Sequence, residues 1–284
     1  MKNSNLISSL IMVAVLALLC TVYLVRVLAK GRARFDRVNR QGGSVFLSKK
    51  LMEMGYWALE PLGRLFVFFR ISANMLTWSA LALGFLSAAC LAAGHFGFGA
   101  AFTAGAGFLD ALDGMVARLT GTQGRGGEIL DSAIDRCVEF FFIGGVVLYY
   151  RDIPPVQIIA LLALLGSFLV SYSTAKAEAF HIEVPRGTMR RPERAVYLTL
   201  GALLSPITIP WLESERLFAR PIAHPMVIAL IIVAIFANLS AIERFKAIAQ
   251  ALRARQVGLQ PNLRSLATPA ETVFAPKSEK TKSA

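Results

Sequence analysis

The chain has 284 residues, of which 55% are hydrophobic and only 17% charged, and its mean hydropathy of +0.56 excludes an ordinary soluble domain. A formal net charge of +12 would suit nucleic acid if it formed one continuous surface. The Lys and Arg residues instead flank apolar runs, where anionic lipid headgroups are the simpler partner. The three cysteines, Cys20, Cys90 and Cys137, lie inside apolar stretches without metal-ligand spacing, which reads as packing.

A spanning helix needs about 20 apolar residues, and the first such run covers residues 6–25. A cleaved signal peptide carries its positive charge ahead of the apolar run. Here only Lys2 precedes it, whereas Arg26, Lys30, Arg32, Arg34, Arg37 and Arg40 follow. The positive-inside bias therefore makes residues 1–30 an anchor with its N-terminus outside and a basic cytoplasmic linker at 31–45. Leu19 ahead of Cys20 makes a poor lipoprotein cleavage site.

Residues 46–70 alternate Lys49, Lys50, Glu53, Glu60 and Arg64 with Leu51, Met54, Trp57, Leu62, Phe66 and Phe69. That pattern predicts an interfacial amphipathic helix interrupted near Pro61. Further spans are expected at 76–93, 100–119, 129–150, 156–177, 195–211 and 226–248. The fold class is then an all-α polytopic membrane protein: a six-helix transmembrane core, an extra N-terminal transmembrane anchor and a juxtamembrane amphipathic helix. Loop charges test this order, because basic residues favour the cytoplasm. Residues 94–99 contain no Lys or Arg and 151–155 contain one, whereas 118–127 and 176–194 are basic. The catalytic unit is expected over 46–250, followed by a basic, disordered tail at 251–284. Trp57, Trp78 and Trp211 fit an interfacial belt, and the scattered His95, His181 and His224 form no metal cluster.

The chemistry concentrates in two of these spans. The sequence reads DALDGMVAR over 110–118, then Gly127, Asp131 and Asp135. Asp110 and Asp113 are three residues apart and Asp131 and Asp135 four, so each pair shares one helix face. The short turn at 120–126 folds the two helices antiparallel, which can bring the faces together. Four carboxylates at membrane depth repel one another unless something positive neutralises them. Arg118 and Arg136 are too few for an internal salt-bridge cluster. An all-oxygen donor set selects hard divalent cations over zinc, and two such ions can clamp a pyrophosphate. Gly114 permits close approach of a nucleotide, Gly127 lets the next helix start near it, and Arg118 offers several donors to a phosphate.

These eight fixed residues resemble the signature of the CDP-alcohol phosphatidyltransferase family at every position. The resemblance implies two Mg2+ or Mn2+ ions held by Asp110, Asp113 and Asp131, with Asp135 facing the metals and acting as the base. It implies donor contacts at Gly114, Ala117, Arg118 and Gly127. Asn74 and Thr77 resemble a family stretch near the nucleotide in which Ala73 replaces the usual proline. The implied reaction transfers a phosphatidyl group from CDP-diacylglycerol to an alcohol and releases CMP, in a homodimer embedded in membrane lipid. The expected location is the bacterial inner membrane, with the site facing the cytoplasm.

Downstream, Lys176 and the basic segment ending Arg190-Arg191-Pro192-Glu193-Arg194 resemble the region that binds phosphorylated polyols. Lys176, Arg191 and Arg194 are the expected acceptor contacts, with Arg186 and Arg190 weaker, and inositol phosphate or glycerol 3-phosphate the expected acceptor. A basic cytoplasmic loop expected from topology alone is the plainer alternative. A cation channel or transporter would also use intramembrane acids, but no charged series continues through the other spans. A non-catalytic scaffold would not need the complete aspartate set.

Overall fold

The structure is a computed structural model that describes residues 2–30, 49–185, 189–212, 220–222 and 224–266. The basic linker, Arg186 and the end of the tail lie outside the described residues. Among those described there is no strand, and eight helices make the fold. They are α1 (Lys2–Lys30), α2 (Lys49–Phe68), α3 (Ala73–Ala92), α4 (Phe96–Leu119), α5 (Arg125–Tyr149), α6 (Pro154–Ala179), α7 (Arg191–Leu212) and α8 (Pro225–Leu266).

Local chemistry sets their ends. Ser72 caps α3: its backbone is extended and its Oγ accepts the Met75 N–H at 3.3 Å, which satisfies one of the donors a helix start leaves open. Pro154 and Pro155 open α6, where a missing N–H costs nothing. Between α4 and α5 the chain reverses through Gly121 at φ 67, a backbone conformation that glycine adopts without strain. Pro61, expected to interrupt the amphipathic helix, lies inside a continuous α2. Its ring removes a single backbone hydrogen bond and sits on an exposed face, so the packed face on either side is undisturbed. The last helix runs on to Leu266, into the stretch expected to be a disordered tail.

Among the described residues, four helical segments are long and apolar enough to cross a bilayer: Ser4–Ala29, Ala73–Ala92, Pro154–Ala179 and Pro225–Arg255. The other three expected spans are the helices α4, α5 and α7, of 24, 25 and 22 residues. They carry the charged residues of the site, which lowers their mean hydropathy. In the bundle α3 packs on α4 and α5, α6 on α5 and α8, and α7 on α4 and α8, while α1 lies along α4.

Small residues bring the backbones close, as packing in an apolar solvent requires. A Cβ on Gly145 of α5 would meet the Ala88 carbonyl oxygen of α3 at 2.6 Å. Gly166 of α6 faces Asn238 of α8, whose Nδ2 donates to Leu162 O at 2.9 Å. The main core, including Leu91, Phe96, Ile143, Tyr150, Met226 and Leu230, gathers toward the end where α5 finishes and α8 begins. A smaller cluster of Leu59, Leu76, Leu112 and Val116 supports the opposite end, which holds the aspartate motif.

Candidate active site

The motif end is assembled by α3, α4, α5 and the first turn of α7. Asp110 and Asp113 project from one face of α4, and Asp131 and Asp135 from one face of α5. One oxygen each from Asp110, Asp113 and Asp131 lies within 4.8 Å of the others, and Asp135 joins Asp110 in contact with one arginine side chain. Helical spacing thus brings all four acids to one centre.

Their surroundings orient them individually. Asp113 is buried, and Thr77 Oγ1 donates to its Oδ2 at 2.7 Å. Thr77, expected to touch the donor nucleotide, is therefore turned toward an aspartate. Asp131 Oδ1 is buried with no hydrogen-bond partner, an arrangement that is costly for a carboxylate oxygen unless a cation satisfies it. Three convergent hard oxygens with one such orphan fit a divalent metal of the magnesium or manganese type. The trio is this chain's candidate metal-binding site.

Arg191 stands among these acids. Its guanidinium nitrogens lie 3.4 Å from Asp110 and in ion-pair contact with Asp135. Arg191 is thus a cation in contact with the aspartates, while Arg118 is exposed at the end of α4 and Arg136 donates to Ser132 O.

Two hollows meet at Asp135, Glu139 and Arg191, which line both. One is a small, mainly apolar cavity of about 60 Å³ between α3, α4, α5 and α7, floored by Thr77, Ala106 and Phe142. The other is a wide cleft of about 1030 Å³ whose wall carries Arg125, Arg136, Arg190, Arg191, Arg194 and Arg244. The small recess and the strongly basic cleft thus share the Asp135 and Glu139 carboxylates, and the cleft has the charge that an anionic substrate would need.

Several expected contacts take other places. Lys176 Nζ lies 5.4 Å from the ring centre of Tyr172 and 6.0 Å from that of Phe180, where cation–π attraction holds it off the cleft wall. Arg194 is fully buried and paired with Glu139, Nε to Oε1 at 2.7 Å and Nη2 to Oε2 at 3.1 Å. Asn74 and Gly127 are exposed and Gly114 and Ala117 half-buried at the rim, lining neither hollow. Two cleft residues were not singled out from the sequence. Glu139 continues the four-residue step of Asp131 and Asp135, and Arg244 is an arginine inside an apolar span, hydrogen-bonded to Thr174 Oγ1 at 2.6 Å. Both signals were present in the spacing and composition.

The sequence profile of the CDP-alcohol phosphatidyltransferase family matches residues 70–241, spanning every element of this centre. The chain belongs to that family. It is accordingly a membrane transferase of phospholipid biosynthesis. The chain is 28% identical over 167 residues to a phosphatidylinositol phosphate synthase of Corynebacterium glutamicum, covering 57% of this chain and 76% of the relative. It is 32% identical over 142 residues to an archaetidylinositol phosphate synthase of Methanothermobacter thermautotrophicus, covering 50% and 71%. Among solved structures, the fold resembles that of Mycobacterium tuberculosis phosphatidylinositol phosphate synthase with CDP-DAG bound. The TM-score is 0.57 at 22% identity, over 67% of this chain and 92% of that one. A structure of the same mycobacterial enzyme in complex with manganese and citrate gives 0.57, over 67% and 88%.

Proposed function

We propose that this transferase moves a phosphatidyl group from CDP-diacylglycerol to inositol phosphate, with glycerol 3-phosphate the second acceptor to consider. The observation that carries this reading is the opening of a wide, arginine-rich cleft beside one cage of carboxylates. The relatives named above, a phosphatidylinositol phosphate synthase and an archaetidylinositol phosphate synthase, support the choice of acceptor.

In this reading Asp110, Asp113 and Asp131 hold two ions, Mg2+ or Mn2+, with Asp135 facing them. Bound there, the ions would neutralise the pyrophosphate and polarise the phosphorus under attack. The chain's own groups do the rest. Thr77 fixes the rotamer of Asp113. Asp135 accepts the acceptor hydroxyl proton as the oxygen–phosphorus bond forms and the bond to CMP breaks. Asn74, Gly114, Ala117, Arg118 and Gly127 face the CMP part of the donor from the rim. Arg190, Arg191, Arg194 and Arg244 supply the phosphate-binding wall of the cleft, through charge-assisted hydrogen bonds. Lys176 joins them only by leaving its aromatic perch.

Helices α3 to α8 form the six-helix transmembrane core, α1 the additional anchor, and the active protein is a homodimer in the bacterial inner membrane. The charge bias of the loops supports a cytoplasmic site. The deciding assay uses purified protein, CDP-diacylglycerol and Mg2+ or Mn2+, with CMP release as readout. Inositol phosphate should give the fastest release, and glycerol 3-phosphate slower release. Turnover only with an uncharged or amino alcohol would overturn the phosphate-pocket reading.

A further inference from the structure

The last helix reaches past the cleft it helps to build. Arg244 of α8 lines the basic cleft, and about three turns further along the same face stands Arg255. Its guanidinium spans the end of α6: Nη1 donates to Phe180 O at 2.7 Å and Nη2 to His181 O at 2.8 Å. The last carbonyls of a helix have no partner within the helix itself, and a cation set on them also meets the negative end of the helix dipole. The end of α6 has particular need of such a partner. The chain leaves it through His181 at φ 51, and the Ile182 N–H donates back to Ala177 O at 2.9 Å. Glycine is the usual residue at such a turn, because a side chain is strained in that conformation. Beyond the turn the chain runs directly to Val184 and Pro185, which line the cleft, as does Glu178 in the last turn of α6.

We propose that Arg255 is a positioning residue for the acceptor: it holds the turn at Phe180 and His181 in the conformation that sets the rim formed by Val184 and Pro185. A planar fork on two neighbouring carbonyls fixes direction as well as distance, so the extension of α8 acts as a strut against the end of α6. Arg255 touches no substrate in this role. It works through the shape of the cleft mouth, as supporting groups do for the binding groups in front of them. The motif aspartates belong to α4 and α5 and not to the two helices that the strut joins, so the donor half of the reaction is left alone. Arg255 also lies beyond residues 70–241, which match the family profile; the strut is a feature of this chain's long last helix. This inference rests on the acceptor-cleft reading given above.

The test follows CMP release by wild type, Arg255→Ala, His181→Gly and the double variant. Inositol phosphate is varied at saturating CDP-diacylglycerol, and CDP-diacylglycerol at saturating inositol phosphate. Arg255 and His181 are both exposed, so all four proteins should accumulate to similar levels. Arg255→Ala should raise the KM for inositol phosphate about fivefold, with the donor KM and kcat close to wild type. His181→Gly alone should change little. In the double variant glycine adopts the turn without a strut, so the KM for inositol phosphate should return most of the way to wild type. An arginine that acted only by attracting the anion would show no such rescue: a KM as high in the double variant as in Arg255→Ala would overturn the proposal. An unchanged KM for inositol phosphate in Arg255→Ala would overturn it too, as would an equal loss on both substrates, which would make the contact structural only. Absence of CMP release from wild type with either inositol phosphate or glycerol 3-phosphate would instead remove the parent reading.

Discussion

The two ends of the helical bundle solve opposite problems. At the end remote from the motif, the helices close by shape. Phe96, Tyr149 and Tyr150 stack edge to face, with ring centres of neighbouring pairs 4.8 Å apart, and the Tyr150 hydroxyl donates to Pro221 O at 3.0 Å. There α1 is pinned by Asn5, whose side chain donates to Gly94 O at 3.1 Å and accepts from Gly97 N at 2.8 Å. At the motif end four acids converge with one orphaned oxygen and a single intruding arginine. The far end lowers the free energy of the fold, whereas the motif end stores unfavourable electrostatics that a bound cation would relieve. Stability and activity should therefore respond to substitution at different ends.

The largest effect expected from this contrast is on activity. Asp110→Ala removes one acid of the proposed metal-binding trio, the one that also pairs with Arg191, and CMP release should fall by about a thousandfold or more. The same change removes like-charge repulsion, so the metal-free protein should melt no lower than wild type in detergent. Mn2+ should raise the melting temperature of wild type by mass action and fail to do so for the variant. A variant that still gained stability from Mn2+ would place the metal elsewhere.

The opposite substitution belongs on the packed side. Gly145→Leu forces a side chain into the Ala88 backbone, where even a Cβ would stand 2.6 Å from the carbonyl oxygen. Backbone cannot swing aside as a flexible side chain can, so destabilisation of about 3 kcal/mol is expected from overpacking. Turnover per folded molecule should stay near wild type, because none of the aspartates lies on that contact. Loss of turnover without loss of stability would mean that the two ends are coupled more tightly than their separate packing implies.

How much of this was readable beforehand follows the range of the interaction. Spacings of three and four residues on adjacent helices were enough to predict that Asp110, Asp113, Asp131 and Asp135 converge, because helical periodicity and a short turn leave little freedom. Arg191 was expected beside a substrate phosphate and stands among the acids, a contact bridging 81 positions in the chain that no local pattern encodes. Arg194 carried the same basic-loop signal and is paired with Glu139, 55 positions away. Lys176 is the local counterexample: Tyr172 and Phe180 sit four residues before and after it, so its aromatic perch was legible from spacing alone. Among the described residues, four of the seven expected spans are plainly apolar, for a related reason. Helices that carry the chemistry trade hydropathy for charge, and length is what still marks them.

The smallest expected effect comes from a histidine sealed into the packed end. His224 is fully buried, its ring centre 4.9 Å from that of Phe96, with neither ring nitrogen hydrogen-bonded. Burial drives its imidazole down from 6.5 to about 3, because the charged form cannot be solvated there. The unfolded chain takes up a proton below pH 6.5 that the folded chain refuses, so the stability His224 contributes is complete above 6.5 and is lost as the pH falls toward 3. On going from neutral pH to 5.5 the loss should be about 1.4 kcal/mol. His224→Leu should remove that part of the slope, whatever it does to stability at neutral pH. Thermal melts of the two proteins at pH 7.5, 6.5 and 5.5 isolate the contribution, since every other titrating group is common to both. Parallel pH dependence would mean that His224 accepts its proton in the folded state, and that the far end is wetter than its aromatic packing implies.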